Sequence, residues 1–223
     1  MTRAAHDYRG LSLLKERAIW REDSRTLWVA DVHLGKAATF RALGQPVPAG
    51  TTTDNLNRLS ALIDFHRASR LVFLGDLFHA PQSHIAAARA FRAWRDRHKD
   101  LELVLVRGNH ERRAGDPAPE LRIEVVAEPY SSDAIEARHH PLQAEEALTE
   151  RGETVLAGHL HPVVCIRGAG HDSIRAQCFV LHGRQIILPA FGEFTGGART
   201  ARTMNVCAIT EAGMIYIEGD RGV

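Results

Sequence analysis

Four short stretches of this chain, Thr26 to Ala30, Leu71 to Leu74, Glu102 to Val106 and Thr154 to Ala157, are almost wholly apolar, and a fifth, Ala134 to Arg138, alternates. Apolar runs of four or five residues read as strands buried on both faces, and the alternating one as half exposed. Each run ends in residues of one chemical kind. The first is followed by Asp31-Val32-His33, the second by Gly75-Asp76 and the third by Gly108-Asn109-His110-Glu111. The fourth ends in Gly158-His159-Leu160-His161-Pro162 and the alternating one in His139-His140-Pro141. Open α/β sheets gather their ligands at strand ends, so these side chains are expected to share one edge.

Between the runs lie helical spacings. Leu56, Leu59, Leu62, Ile63 and His66 recur at three and four after Thr53 and Asp54 as candidate caps. Ser83 to His98 places Ile85, Ala88, Phe91 and Trp94 on one stripe, with Arg89, Arg92, Arg95 and Asp96 facing solvent. A shorter helix is expected after Pro141, carrying Glu145, Glu146 and Leu148. The late runs Cys178 to Leu181, Gln185 to Leu188, Asn205 to Thr210 and Met214 to Glu218 are closely spaced with glycine turns and read as antiparallel. Gly44 to Gly50 and Gly115 to Pro119 read as surface loops.

With 223 residues the chain is expected to form one compact unit over 1–223. Its 28 Lys and Arg against 27 Asp and Glu leave a formal charge of +1, which excludes holding nucleic acid by bulk charge. Any polyanion must meet a local basic patch. Three scattered cysteines, Cys165, Cys178 and Cys207, suit a reducing compartment. With no apolar run of about 18 residues and no signal-like N-terminus, the expected location is the cytoplasm, away from membranes.

Thirteen histidines are the compositional oddity, and several of them fall at the strand ends. A single buried histidine there would be an ordinary core residue bonded to a carbonyl. Five strand ends carrying imidazoles and carboxylates are another matter, because each would cost several kcal/mol to desolvate without a cation. Asp31, His33, Asp76, Asn109, one of His139 and His140, His159 and His161 make seven groups. Seven ligands exceed the need of one ion with an open position and suit two divalent ions sharing a bridge. Mixed nitrogen and oxygen donors without thiolate favour Mn²⁺, Fe²⁺ or Zn²⁺ over Mg²⁺ or Ca²⁺.

The order Asp-x-His, Gly-Asp, Gly-Asn-His-Glu, His, Gly-His-x-His resembles the calcineurin-like metallophosphoesterase superfamily. The resemblance implies an α/β fold, a two-sheet β-sandwich flanked by helices in four layers. It implies a first metal held by Asp31, His33, Asp76 and His161, and a second held by Asp76, Asn109, His139 and His159, with Asp76 bridging. Many members have His-Gly where this chain has His139-His140-Pro141, and His139, the first residue past its strand, is the preferred ligand. Longer strings, Asp31 to Arg41, Gly44 to Gly50, Gly75 to Ala80 and Leu188 to Gly197, are similar to the bacterial branch associated with DNA ligase and helicase genes in repair clusters. That branch is described as Mn²⁺-dependent endonucleases preferring single-stranded DNA.

The implied function is therefore a binuclear phosphodiesterase cutting single-stranded DNA in repair, in functional association with a ligase and a helicase. Two cations about 3.5–4 Å apart would acidify a shared water and clamp a phosphoryl oxygen for in-line attack. Asp76 and Asn109 belong to this catalytic centre, and His110, beside Asn109, is the candidate general acid. Lys36, Arg41, Arg112 and Arg113 flank the motifs and are candidates to grip phosphates. Gly192, Thr195, Gly196 and Gly197 form a loop whose backbone could approach the cleft. His79 is placed at the rim without a metal, His84 at the start of the second helix, and Phe40 and Phe194 are read as core before stacking platforms. The alternatives are a small-molecule phosphodiesterase or phosphomonoesterase and, with less support, a non-catalytic metal-binding scaffold.

Overall fold

A computed structural model describes residues 5–48, 50–79, 84–149, 152–168 and 172–220. Seven strands lie side by side in chain order in the first sheet: β1 (Ala5–Tyr8), β2 (Leu11–Leu14), β3 (Ala18–Arg21), β4 (Thr26–Val29), β5 (Arg70–Leu74), β6 (Glu102–Val106) and β7 (Glu124–Val126). The first four form an antiparallel meander, and β4 to β7 run parallel. Parallel neighbours need crossovers, which are supplied by α1 (Lys36–Ala42) and α2 (Thr51–His66), then α3 (His84–Arg97), then α4 (Asn109–Ala114).

The second sheet is built from β8 (Tyr130–Ser132), β9 (Ile135–Ala137), β10 (Thr154–Ala157), β11 (Pro162–Arg167), β12 (Ser173–His182), β13 (Gln185–Ile187) and β14 (Ala198–Arg199). Its order is β14-β11-β12-β13-β10-β9-β8, and the upper half of β12 also pairs with β15 (Asn205–Thr210), which pairs with β16 (Gly213–Ile217). The late strands are antiparallel to one another, as expected, while β13 is also parallel to β10.

Side-chain alternation sets the layers. Leu27, Val29, Leu71, Phe73, Leu103 and Leu105 pack against Leu56, Leu59, Phe91 and Trp94 of the helices. Trp28, Ala30, Val72, Leu74, Val104 and Val106 point the other way, onto Leu156, Phe179, Leu181 and Ile186 of the second sheet. Burial of each such side chain contributes about 1.5–3 kcal/mol, so strands covered on both faces must be apolar throughout. The structure is thus the α/β sandwich of two mixed sheets that the resemblance implied. Its outer layer on the second sheet is thin: α5 (Ala144–Ala147) packs at the β12–β13 turn, where Arg184 donates to the Ala147 carbonyl through its backbone amide.

Three local expectations change. α2 begins at Thr51 with Gly50 as its cap, so Asp54 lies in the first turn and caps nothing. Arg95 is not solvated: it is buried, and its guanidinium bonds the His98 carbonyl at the end of α3. Phe194 is not core, being exposed in the loop before β14. Of the expected stripe on α3, the side chain of Ile85 lies outside the described residues. Among the described residues no helix is long and apolar enough to cross a membrane.

Candidate metal centre

The parallel strands β4, β5 and β6 end side by side, and β10 of the second sheet ends opposite them. The residues past those ends converge. Asp31, His33 and His161 offer donor atoms within 4.8 Å of one another, as do Asp31, Asp76 and His139, and as do His139, His140 and His159. Asp31, His33, Asp76, His159 and His161 all have positive φ, between 48° and 70°. Left-handed backbone is costly for residues with a β-carbon, roughly 1–2 kcal/mol each, and five cases in one cleft mark strain stored where the chain aims side chains.

The motif glycines make room for this crowding. A β-carbon at Gly75 would lie 2.1 Å from His139 Nδ1, and one at Gly108 would lie 2.3 Å from Asp76 Oδ1. At Gly158 it would lie 2.7 Å from Asp31 Oδ2. Each glycine sits where a carboxylate or imidazole of another motif passes, so any side chain there would displace it.

Hydrogen bonding fixes which ring atoms are presented. His139 is fully buried, and its Nδ1 lies 3.0 Å from the Leu74 carbonyl oxygen. A carbonyl only accepts, so Nδ1 carries the proton and Nε2 presents a lone pair. That lone pair faces Asn109 Oδ1 at 2.9 Å, His159 Nδ1 at 3.0 Å and Asp76 Oδ1 at 3.7 Å. His161 has a similar anchor, with Nδ1 3.0 Å from the Thr195 carbonyl and Nε2 3.3 Å from Asp31 Oδ1; burial lowers its pKa, but Asp31 and the Thr195 carbonyl outweigh it and the net shift is upward. Asp31 Oδ1 and His33 Nδ1 are buried without a hydrogen-bond partner. Burial, then the Lys36 charge, holds His33 well below the ordinary imidazole range, so it is neutral and able to donate electrons. Burial followed by the neighbouring rings of His139 and His140 lowers His159 as well. Converging lone pairs repel one another unless a cation lies among them. Histidines whose second nitrogen is tied to a carbonyl are what a metal site requires. The donor set therefore fits divalent cations.

His140 joins this convergence only through His139 and His159, at its outer edge. Its Nδ1 is 2.7 Å from Glu128 Oε1, it is partly exposed, and its ring packs 4.6 Å from that of His159. His110 donates its backbone amide to Asp76 Oδ1 at 3.0 Å; its Nδ1 bonds the His79 carbonyl, and its Nε2 lies 3.7 Å from Asp76 Oδ2. The four candidate phosphate cations divide. Lys36 Nζ lies 3.4 Å from the Thr195 carbonyl; burial lowers its pKa while Asp31 and Asp76 pull it back up. Arg41 turns to its own loop, donating to the Pro48 carbonyl at 2.6 Å. Arg112 pairs with Glu128 at 2.7 Å, and Arg113 is exposed. The loop around Thr195 does reach the cleft by its backbone, and Gly192 donates to the Asp31 carbonyl at 3.1 Å.

Three glutamates escaped sequence reasoning, and His79, expected at the rim without a metal, offers a donor atom within 4.8 Å of those of His33 and His110. Glu111 is buried and accepts the amides of Asp76 and Gly108 on Oε2 and of Leu77 on Oε1, all at 2.9 Å. Burial and the Asp76 charge raise its pKa against those three bonds. Glu128 accepts the amides of both His139 and His140 at 2.9 Å. Glu193 holds the late loop to Arg17 and Arg58. His79 lies with its ring 5.6 Å from His33 and 5.2 Å from His110, and burial pushes its pKa to about 4. The first three bind backbone amides or distant arginines, which no spacing in the sequence announces.

Strand-end carboxylates and imidazoles gathered beneath a two-sheet α/β sandwich define a metal-dependent phosphoesterase. The chain belongs to the calcineurin-like phosphoesterase family, whose profile matches residues 24–175. Among solved structures, the Pseudomonas putida nuclease MPE is 37% identical and superposes with a TM-score of 0.77, over 96% of this chain and 98% of that one. The E. coli phosphoesterase Yfce is 14% identical with a TM-score of 0.41, over 87% of this chain and 99% of its own. No curated protein matches the chain. The likeness to MPE, itself a nuclease, runs nearly end to end, as did the longer strings that resembled the repair-associated branch.

Proposed function

We propose that the protein is a binuclear phosphodiesterase that cuts single-stranded DNA during repair, with Mn²⁺ as its metal. One observation carries the reading: with Nδ1 on the Leu74 carbonyl, His139 Nε2 converges with Asn109 Oδ1 at 2.9 Å, His159 Nδ1 at 3.0 Å and Asp76 Oδ1 at 3.7 Å. Asp31, His33, Asp76 and His161 would hold one ion, and Asp76, Asn109, His139 and His159 the other. When bound, such a pair supplies Lewis-acid charge to a phosphoryl oxygen and acidifies water as the nucleophile.

The chain's own residues do the rest. Glu111 and Glu128 hold the amides of the Asp76 and His139 segments, so the ligands meet the cations already oriented. His110 keeps Nδ1–H on the His79 carbonyl, so to act as the acid it would carry a second proton on Nε2, on the Asp76 side, passing that proton to the leaving oxygen and returning to the neutral ring. Lys36 is the best placed of the phosphate cations, since it feels both Asp31 and Asp76. Arg112 and Arg113 lie in the last turn of α4, and Arg41 in the last turn of α1. A DNA substrate is supported by the similarity to the P. putida nuclease.

The test is a closed single-stranded DNA circle incubated beside bis(p-nitrophenyl) phosphate and p-nitrophenyl phosphate, across Mn²⁺, Fe²⁺, Zn²⁺ and Mg²⁺. The circle is expected to linearise, fastest in Mn²⁺. An intact circle beside brisk hydrolysis of either small ester would replace the reading with a small-molecule enzyme. Bound metal with no ester cut at all would leave a scaffold.

A further inference from the structure

The hairpin of β11 and the lower half of β12 leaves the metal centre directly, since Pro162 follows His161, and β14 starts one residue beyond Gly197 on the same side. Register decides which of its side chains share a face. Val163 is opposite Gln177 and Arg199, Cys165 opposite Arg175, and Arg167 opposite Ser173. Directly paired residues lie on one face of a sheet, and residues two apart share it. One face therefore carries Arg167, Arg175 and Arg199, all exposed or nearly so, with no acid among its paired residues. The opposite face carries Val164, Ile166, Ile174 and Ala176.

These arginines differ from others in the molecule. Arg17 and Arg58 share Glu193, Arg70 meets Glu102, and Arg112 meets Glu128. Arg167, Arg175 and Arg199 enter no ion pair among the described residues. Arg175 spends one nitrogen on the Gly197 carbonyl at 2.7 Å, which ties the face to the loop that carries Thr195 beside His161. Arg167 and Arg199 also border a cavity of about 230 Å³ whose lining includes Arg202, Glu218 and Asp220. That rim is mixed in sign, whereas the paired residues around Arg175 hold no acid, and this strand face is the one suited to a polyanion. At about 3.3 Å per residue, β11 extends this face some 15–20 Å from His161, a span of several nucleotides. With a net charge of only +1, the molecule needs such a local track.

We propose that this face of β11, β12 and β14 is a phosphate track that holds the single strand running away from the scissile phosphate, Arg167, Arg175 and Arg199 each contacting its backbone. The inference rests on the nucleic-acid reading of the metal centre and deepens it. It is tested with the triple variant Arg167→Gln, Arg175→Gln, Arg199→Gln in the metal-loaded protein. Two quantities are read: the affinity for a fluorescein-labelled 20-nucleotide oligo-dT by anisotropy across a salt series, and turnover of bis(p-nitrophenyl) phosphate. Affinity is expected to fall roughly tenfold, and the slope of log K against log salt to shrink by about 2, at about 0.7 for each phosphate that is no longer neutralised. Small-diester turnover is expected to stay at the wild-type level, which also shows that the variant is folded. The triple lysine variant should restore most of the slope, and Arg89→Gln with Arg92→Gln on α3 should leave it unchanged. An unchanged slope in the glutamine variant, with wild type binding and cutting the strand, overturns the track alone. A wild type that turns over the small diester but neither binds nor cuts the strand overturns the track together with the nuclease reading.

Discussion

His110 and the pair His139–His140 show how little separates a reacting group from a holding one. His110 touches Asp76 through its backbone amide and presents its ring nitrogen alongside, so removing the ring need not remove an ion. His110→Ala is expected to retain its metal, measured by elemental analysis, while kcat on a diester falls by about 10²–10⁴. An unchanged kcat would strip it of the proton-transfer role. His139→Ala and His140→Ala should part in the other sense. The first deletes a buried lone pair facing Asn109 and Asp76, the second a ring engaged with Glu128. About half the bound metal should be lost from His139→Ala and little from His140→Ala; the reverse order would exchange their roles. The five strand-end motifs stood out because carboxylates and imidazoles at the ends of apolar runs are chemically special, and the fold brings them together. Glu111, Glu128 and Glu193 were not, because a glutamate that binds backbone amides or a distant arginine looks like any solvated acid until the chain is folded.

At the scale of elements, what could be read was what burial on two faces forces. β4, β5, β6 and β10 appeared as apolar runs and sit where they were expected, to within a residue at either end. The meander β1 to β3 did not, since its four-residue strands, interrupted by Gly10, Lys15 to Arg17 and Glu22 to Arg25, fall below the length at which alternation can be told from chance. α4 was missed for a related reason. It has six residues, and its place depends on Glu111 reaching across to the amides of Asp76 and Leu77. Glu111→Gln tests that dependence. An amide can accept on one side only, so at least one of the three backbone N–H groups would face an NH₂ in a buried site. An unmet buried donor costs about 1–3 kcal/mol, to be seen as a lowered urea midpoint with the m-value unchanged. Metal content should drop as well, because either orientation of the new amide loosens the segment that carries Asp76, orphaning the Leu77 amide or those of Asp76 and Gly108. Full stability and full metal content would show that the loops are held by something else.

Across the whole molecule, three remote segments are tied at one carboxylate. Glu193 in the late loop lies 2.7 Å from Arg58 of α2 and pairs with Arg17 after β2, while the Arg58 guanidinium lies 4.0 Å over the Phe191 ring. The loop so held supplies the Thr195 carbonyl to His161 and Lys36, so the clamp links the meander, the helical layer and the metal centre. Burial alone would raise the Glu193 pKa, but the two arginines outweigh it and the net shift is downward. An acid whose pKa is depressed by folding adds stability above its unfolded pKa, and that stability is lost as pH falls through its folded pKa. Arg58 is pushed to about 10 by burial and by Arg17, so it stays charged throughout the acid range. Glu193→Gln removes the acid and leaves two cations facing each other. Its Tm should therefore lie a few degrees below wild type at pH 7 and in low salt. The gap should narrow as pH falls below the usual carboxylate range, because the wild-type clamp then protonates, and it should narrow in high salt through screening. Glu193 is partly exposed, which keeps the effect modest. A gap constant from pH 7 down to pH 3.5 would mean that the charge of Glu193 contributes nothing and that the loop is held by packing of Phe191 alone.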